Sequence, residues 1–274
     1  MTSEPKAVGR AGRDLRAAIT VGVSLVLLVL ASLFWVKDIF AVVVAVALIV
    51  AAIEITRAVA VAGITVPLPP VLVGGVAMLA VAFYDDMDTA AAVMALTVIA
   101  TMAWRLRGGS AGFIRDATAG IFLLSYLFLM GTFVVRMLAA EDGPWRVVAF
   151  ILVTIASDIG GYAAGVLFGR HPMAPSISPK KSWEGFAGSM IASVAAGVAV
   201  VMVALEGPWW AGLALGVAGV TFATLGDLCE SLIKRDVGIK DMGNLLPGHG
   251  GLMDRLDSLI AVAPVAYLVM YLLV

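Results

Sequence analysis

The chain is poor in cysteine, in histidine and in charge. Its 274 residues include one cysteine, two histidines and only 14% charged residues. A single cysteine excludes an internal disulfide, and Cys229, set in an apolar run, reads as a small buried hydrophobe. A soluble domain averages about 25% charged and about 45–50% apolar residues. This chain is 62% hydrophobic, with a mean hydropathy of +1.05, so its apolar surface has nowhere to go except lipid. A net charge of −1 excludes a nucleic-acid binder that relies on bulk positive charge. The sequence also shows no internal repeat, no glycine-rich linker and no second, soluble domain. No small-x-small cleavage site follows the first apolar run, which is too long for a signal peptide and is expected to be retained.

What is present is a series of long apolar segments. A spanning helix needs about 20 mostly apolar residues. Nine candidates fall near 17–36, 39–56, 69–84, 88–104, 117–138, 145–168, 185–205, 209–232 and 254–274. The expected fold is therefore an all-α, polytopic transmembrane helix bundle. The third segment is short and starts at the Pro67-Leu68-Pro69-Pro70 cluster. Residues 1–16 read as a polar tail, 17–144 as N-terminal membrane helices and 145–274 as the region carrying chemistry. With the N-terminus on the cytoplasmic side, only Lys37, Arg136 and Arg146 of the 18 lysines and arginines fall outside, leaving 15 inside. Positive charge in short loops stays cytoplasmic, so this orientation is the expected one.

The densest polar segment begins inside the eighth span. Asp227, Glu230, Ser231 and Lys234 share one helix face. Such a stripe must face the protein interior or a wet cavity, since charge in lipid is costly. A loop with five glycines follows: Gly238, Gly243, Gly248, Gly250 and Gly251. Glycine lets backbone amides approach a phosphate. Lys234, Arg235, Lys240 and Arg255 surround the loop as phosphate-neutralising cations, and His249 sits between glycines. Asp254 and Asp257 then open the ninth helix. Carboxylates at two helix ends, with basic residues and a glycine loop, suit metal-assisted phosphoryl or nucleotidyl transfer. Mg²⁺ takes one or two carboxylates plus substrate phosphates, and one or two cations fit here. Singly, the same residues also read as structural: Asp254 and Asp257 as helix-capping and salt-bridging groups, and Lys234-Arg235 as an ordinary cytoplasmic flank.

A second cytoplasmic segment supports the first. Asp158 lies in the sixth span and is followed by Gly160, Gly161, Gly165 and Gly169. The Asp is a candidate site residue by its cost in a membrane, whereas the glycines read better as close helix packing. The loop after them runs from Pro175 through Ser178-Pro179-Lys180-Lys181-Ser182 to Glu184, where a helix begins. Its lysines and serines offer anion donors, either to a substrate or to lipid headgroups.

The run Ser231-x-x-Lys234-Arg235-x4-Lys240-Asp241-x-Gly243-x2-Leu246-Pro247-x-His249-Gly250-Gly251-x2-Asp254-Arg255-x-Asp257 resembles the signature of the phosphatidate cytidylyltransferase (CDP-diacylglycerol synthase) family. The Asp158–Gly169 run and Ser178 to Gly185 also resemble that family. Ser182 stands where the family has Thr and Arg170 where it has Lys, and both keep the chemistry. These motifs cover roughly residues 155–258; the first 150 residues match only as generic membrane helices. The resemblance implies that CTP and phosphatidic acid react with Mg²⁺ to give CDP-diacylglycerol and pyrophosphate, at the head of phospholipid synthesis. It also implies a homodimer in the cell membrane, among membrane lipids, with its site facing the cytoplasm.

Carried onto this sequence, the resemblance makes Asp227, Lys234, Arg235, Lys240, His249, Asp254 and Arg255 the catalytic set. Asp158, Asp227, Asp254 and Asp257 are the candidate metal ligands. Ser178, Lys180, Lys181, Glu184, Ser231, Gly250 and Gly251 are the candidate substrate-binding residues. Two rivals stand beside this reading. A CTP-dependent kinase of a polyprenol-type alcohol would need a base for a neutral hydroxyl, and His249 is the candidate for that. An ion- or proton-coupled transporter would use Asp158 and Asp227 as relays, but would not need basic, glycine-rich loops on one side only.

Overall fold

A computed structural model describes residues 27–243 and 250–274. Residues 27–35 are helical, and nine α-helices follow. They are α1 (Lys37–Ala60), α2 (Leu68–Tyr84), α3 (Met87–Arg105), α4 (Phe113–Leu123), α5 (Met130–Ala139), α6 (Gly143–Phe168), α7 (Trp183–Ala204), α8 (Trp209–Asp236) and α9 (Met253–Leu273). A π-helical turn, Leu124–Leu129, joins α4 to α5 into one rod.

The local sequence explains the helix starts. Pro69 and Pro70 occupy the first turn of α2, where a missing N–H is harmless. The Asp86 side chain accepts from Thr89 N at 2.6 Å and caps α3. Ser182 accepts from Gly185 N at 3.1 Å and caps α7.

Among the described residues, seven helical rods are long and apolar enough to cross a membrane. Each falls on one of the expected spans from 39–56 onward. The remaining one of these, α2, has 17 residues. At roughly 1.5 Å per residue it is about 26 Å long, short of the about 30 Å hydrocarbon core. The first half of the expected span at 17–36 lies outside the described residues, and residues 27–35 of it are helical.

Lipid gives no hydrophobic drive for helices to associate, so close approach between small residues does the work. A Cβ on Gly160 of α6 would sit 2.5 Å from the Gly188 carbonyl oxygen of α7. A Cβ on Gly197 of α7 would sit 2.5 Å from the Gly212 oxygen of α8. Ser193 locks the trio, its hydroxyl directed at both Val153 O (3.0 Å) and Gly216 O (3.2 Å). Gly160 and Gly161 of the Asp158–Gly169 run thus lie at a close helix contact, the packing role expected of them.

The segment between α6 and α7, expected to be a loop, instead contains a short antiparallel hairpin. Strand β1 (Pro172–Ala174) pairs with β2 (Ser178–Ser182), with Pro172 opposite Ser182 and Ala174 opposite Ser178. Two prolines and adjacent lysines give no alternating apolar pattern, so backbone pairing alone makes these strands.

Cys229 also departs from expectation, being exposed on α8 rather than buried. Its neighbour Glu230 takes the inward position, at 1% exposure. In a membrane protein an apolar residue can face outward, so hydrophobicity does not predict burial.

The connections gather at two ends. At one end, Thr65 N donates to Asp116 (3.1 Å), joining the α1–α2 connection to the first turn of α4. Arg235 Nε reaches Ile177 O of the hairpin at 3.5 Å, and the start of α9 meets Glu54 near the end of α1. At the other end, Lys37 donates to Ala140 O, Tyr84 to Asp38, and Arg146 to Met270 O. The segments that the charge split assigned to one side of the membrane therefore share one end of the bundle.

Candidate active site

A cavity of about 300 Å³ opens between α6, α7, α8 and the hairpin. Its polar lining includes Asp158 from α6, Ser178, Lys180 and Lys181 from β2, and Asp227 from α8. Gly161, Gly165 and Gly185 form part of the wall, so the helices stay close enough for side chains on three of them to converge. Lys181 Nζ pairs with Asp227 Oδ2 at 2.7 Å, and Ser231 donates to Asp227 Oδ1 at 3.3 Å. Asp227 keeps 37% of its side-chain surface open. Asp158, Asp227 and Asp257 stand within electrostatic reach of one another, and Lys181 and Arg255 act on Asp158.

Behind the cavity is a more buried knot. Lys234 Nζ bridges Glu230 (2.5 Å) and Asp254 (3.0 Å), with the two carboxylates 1% and 8% exposed. Asp254 Oδ2 also accepts from Met242 N at 3.0 Å and Gly251 N at 2.8 Å. Gly250 has φ +84°, a left-handed conformation that favours glycine and lets the chain turn into α9.

The expected site residues thus divide. Asp158, Ser178, Lys180, Lys181 and Asp227 meet in the cavity. Ser231 touches Asp227, and Asp257 and Arg255 stand beside the group. Lys234, Asp254 and Gly251 belong to the buried knot. Arg235 holds the hairpin, and Lys240 is exposed on the connection after α8. Glu184 accepts from the backbone of Arg170 (3.1 Å) and His171 (3.2 Å) and pairs with the His171 ring, so it ties down the base of the hairpin. His249 lies outside the described residues.

Sequence reasoning passed over three groups. Glu54 accepts from Leu252 N and Met253 N at the start of α9. Glu230 was read as part of the polar face but not as a site residue. Tyr126, on the π turn, has a buried hydroxyl with no partner among the described residues, within electrostatic reach of Asp257 and Glu230. The cost of a carboxylate within an apolar helix could have flagged both glutamates. Nothing in the sequence marks the π turn.

Among the described residues no three acidic, His or Cys side chains form a ready-made metal cage. The donor chemistry still fits Mg²⁺, which uses one or two carboxylates and fills its sphere with phosphate and water oxygens. Asp227 faces the cavity with Asp158 and Asp257 nearby, and the buried Glu230 Oε1 has no hydrogen-bond partner among the described residues. A carboxylate group, paired cations and hydroxyls around a cavity at one end of a membrane bundle can bind and align phosphate esters.

Comparison with known proteins agrees with this chemistry. The sequence model of the Cytidylyltransferase family matches residues 16–273. The chain is 44% identical over 277 aligned positions to a phosphatidate cytidylyltransferase of Mycobacterium bovis, covering 96% of this chain and 90% of that protein. It is 41% identical over 289 positions to a phosphatidate cytidylyltransferase of Mycobacterium leprae, covering 100% of this chain and 93% of the relative. A phosphatidate cytidylyltransferase of Pseudomonas aeruginosa is 35% identical over 203 positions, covering 72% of this chain and 69% of its own length. With the match running nearly end to end, and with Asp158, Lys181 and Asp227 at one cavity and Lys234 and Asp254 in the knot, this chain belongs to the cytidylyltransferase family.

Proposed function

We propose that this chain transfers the cytidylyl group of CTP to phosphatidic acid, forming CDP-diacylglycerol and releasing pyrophosphate. The observation that carries the proposal is the membrane-end cavity lined by Asp227, Lys181, Lys180 and Asp158, beside the family's signature segment. The relatives' activity supplies the substrates. A phosphate oxygen of phosphatidic acid attacks the α-phosphorus of CTP. The bond from that phosphorus to the bridging oxygen breaks, and its electron pair leaves with pyrophosphate. The attacking phosphate is already an anion at neutral pH, so no strong base is required.

Each residue's work follows from its surroundings. Asp227, with Asp158 and Asp257 beside it, would hold Mg²⁺. When bound, that ion neutralises phosphate charge and favours pyrophosphate departure. Lys180 and Lys181 stand on a two-stranded hairpin whose base is fixed by Glu184, and they bind the phosphates of CTP or the lipid. Ser178 and Ser231 donate hydroxyls. Lys234 and Asp254 hold the start of α9, and with it Arg255 and Asp257, against α8. The site faces the cytoplasm of a cell membrane, where CTP is available, and the protein works as a homodimer.

The fate of the CTP phosphates tests the reaction. With purified protein, Mg²⁺ and phosphatidic acid, label in the α-phosphate should enter the lipid and pyrophosphate should appear. Label in the γ-phosphate entering the lipid, with CDP released, would establish a lipid kinase instead. Sidedness is tested separately, in a Cys229→Ala background because Cys229 is exposed. Single cysteines at Ser110 and Ser176 should react only from the cytoplasmic side, and those at Asp86 and Gly143 only from the other. The reverse pattern would invert the assigned orientation.

A further inference from the structure

We infer that Glu54, on α1, is a positioning residue for the transfer site, capping the N-terminus of α9 from a distant part of the chain. The inference rests on the reaction proposed above. A helix leaves its first four backbone N–H groups without internal partners, and a side chain just before the helix usually serves them. Here the residue at that point is Leu252, which has no capping side chain. Glu54 fills the role across 198 residues of sequence. Its Oε1 accepts from Leu252 N at 3.0 Å, and its Oε2 accepts from Met253 N at 2.8 Å. Each oxygen takes one amide, and the negative charge sits at the positive end of the helix dipole. Glu54 is 6% exposed, so water hardly competes for those bonds.

Two signature glycines make this cap possible. A Cβ on Gly243 would lie 2.5 Å from Glu54 Oε1, and a Cβ on Gly251 would lie 2.7 Å from Oε2. Part of the glycine-rich segment therefore makes room for a carboxylate of the protein itself, not only for a substrate phosphate. Asp254 follows Met253 directly and takes the amides of Met242 and Gly251 together with Lys234. Asp254 thus holds Met242 and Gly251, and Glu54 holds Leu252 and Met253. The direction in which Asp254, Arg255 and Asp257 leave this point is set by α1, which the family motifs do not reach. A rearrangement here acts on the reaction through those residues, and a misplacement of about 1 Å can lower a rate by about 10²-fold.

Glu54→Gln keeps the shape but leaves one acceptor, and turns an NH₂ group toward an amide N–H. Glu54→Asp keeps both acceptors on a stem one methylene shorter. Turnover of CTP with phosphatidic acid is measured per folded molecule in detergent, together with KM for CTP. Hydrogen exchange of the Leu252 and Met253 amides is followed by mass spectrometry. The wild type should protect both amides. Glu54→Gln should exchange them faster and lose at least about 10-fold in kcat, on the scale of such misplacement, with KM for CTP little changed. Glu54→Asp should recover part of both. A folded Glu54→Gln protein with wild-type kcat would overturn the inference, leaving Glu54 a stability contact only. If Glu54→Gln does not fold, Glu54→Asp decides through the two readouts together: amide protection and kcat falling together support the inference, and protection lost with kcat unchanged overturns it. Absence of protection at both amides in the wild type overturns it regardless of any variant. A wild type that makes no CDP-lipid overturns the proposed reaction instead, and the exchange result still reports on the cap.

Discussion

Asp227→Asn should reduce turnover by at least about 10²-fold, the scale of losing one electrostatic contact to the transition state, while the extracted protein stays folded. Asp227 lines the cavity together with Asp158, and is paired with Lys181 at 2.7 Å and touched by Ser231. Asparagine has nearly the same shape and can still accept from Ser231. It lacks the charge that would hold Mg²⁺ and that now balances Lys181. Since 37% of the Asp227 side-chain surface is open, water can solvate Lys181 in the variant, and the fold should tolerate the change. The measurement is kcat with α-labelled CTP, beside thermal unfolding in the same detergent. Turnover near wild type would remove Asp227 from the site. A large fall in melting temperature would show that the Lys181–Asp227 pair holds the structure rather than the substrate.

Lys234→Met should have the opposite signature, with the fold itself failing. Lys234 is the cation between Glu230 and Asp254, which are 1% and 8% exposed. Removing one partner of a buried charge pair costs about 3–5 kcal/mol, because the remaining charge is left uncompensated. Two carboxylates are stranded here, so poor extraction and a sharply lower melting temperature are expected. Adding Glu230→Gln should restore part of the stability, because one of the two stranded charges is gone. A Lys234→Met protein as stable as the wild type would mean that the buried knot is not formed. A double variant no better than the single one would mean that Glu230 is not part of it.

Much of the bundle could be read from the sequence because membrane spans are written in local composition. The expected segments from 39–56 to 254–274 each meet a helix, and the Pro67–Pro70 cluster marks the start of the short one. The stripe of Asp227, Glu230, Ser231 and Lys234 could be read as well, since a period of 3.6 residues fixes what shares a face on one helix. What that face meets could not be read. Lys181 and Lys234 both belong to basic, polar segments, yet one reaches Asp227 across the cavity and the other is buried between Glu230 and Asp254. Glu184 stands in a segment that offers groups to a substrate, and only the fold shows that it anchors the hairpin at Arg170 and His171.

By itself, then, the sequence determined that this protein is a membrane-embedded helix bundle, which polar segments are candidates for its chemistry, and which family they resemble. Hydropathy, helical period and motif spacing are local properties, and they survive without knowledge of the fold. Only the tertiary structure decided that Cys229 faces outward, that the segment after α6 folds into a hairpin, and that α9 is capped by Glu54. Those outcomes depend on the rotation and separation of helices packed through Gly160, Gly188, Gly197 and Gly212. A shift of one helix by a few ångströms would give each buried charge a different partner, and no local pattern of residues records that distance.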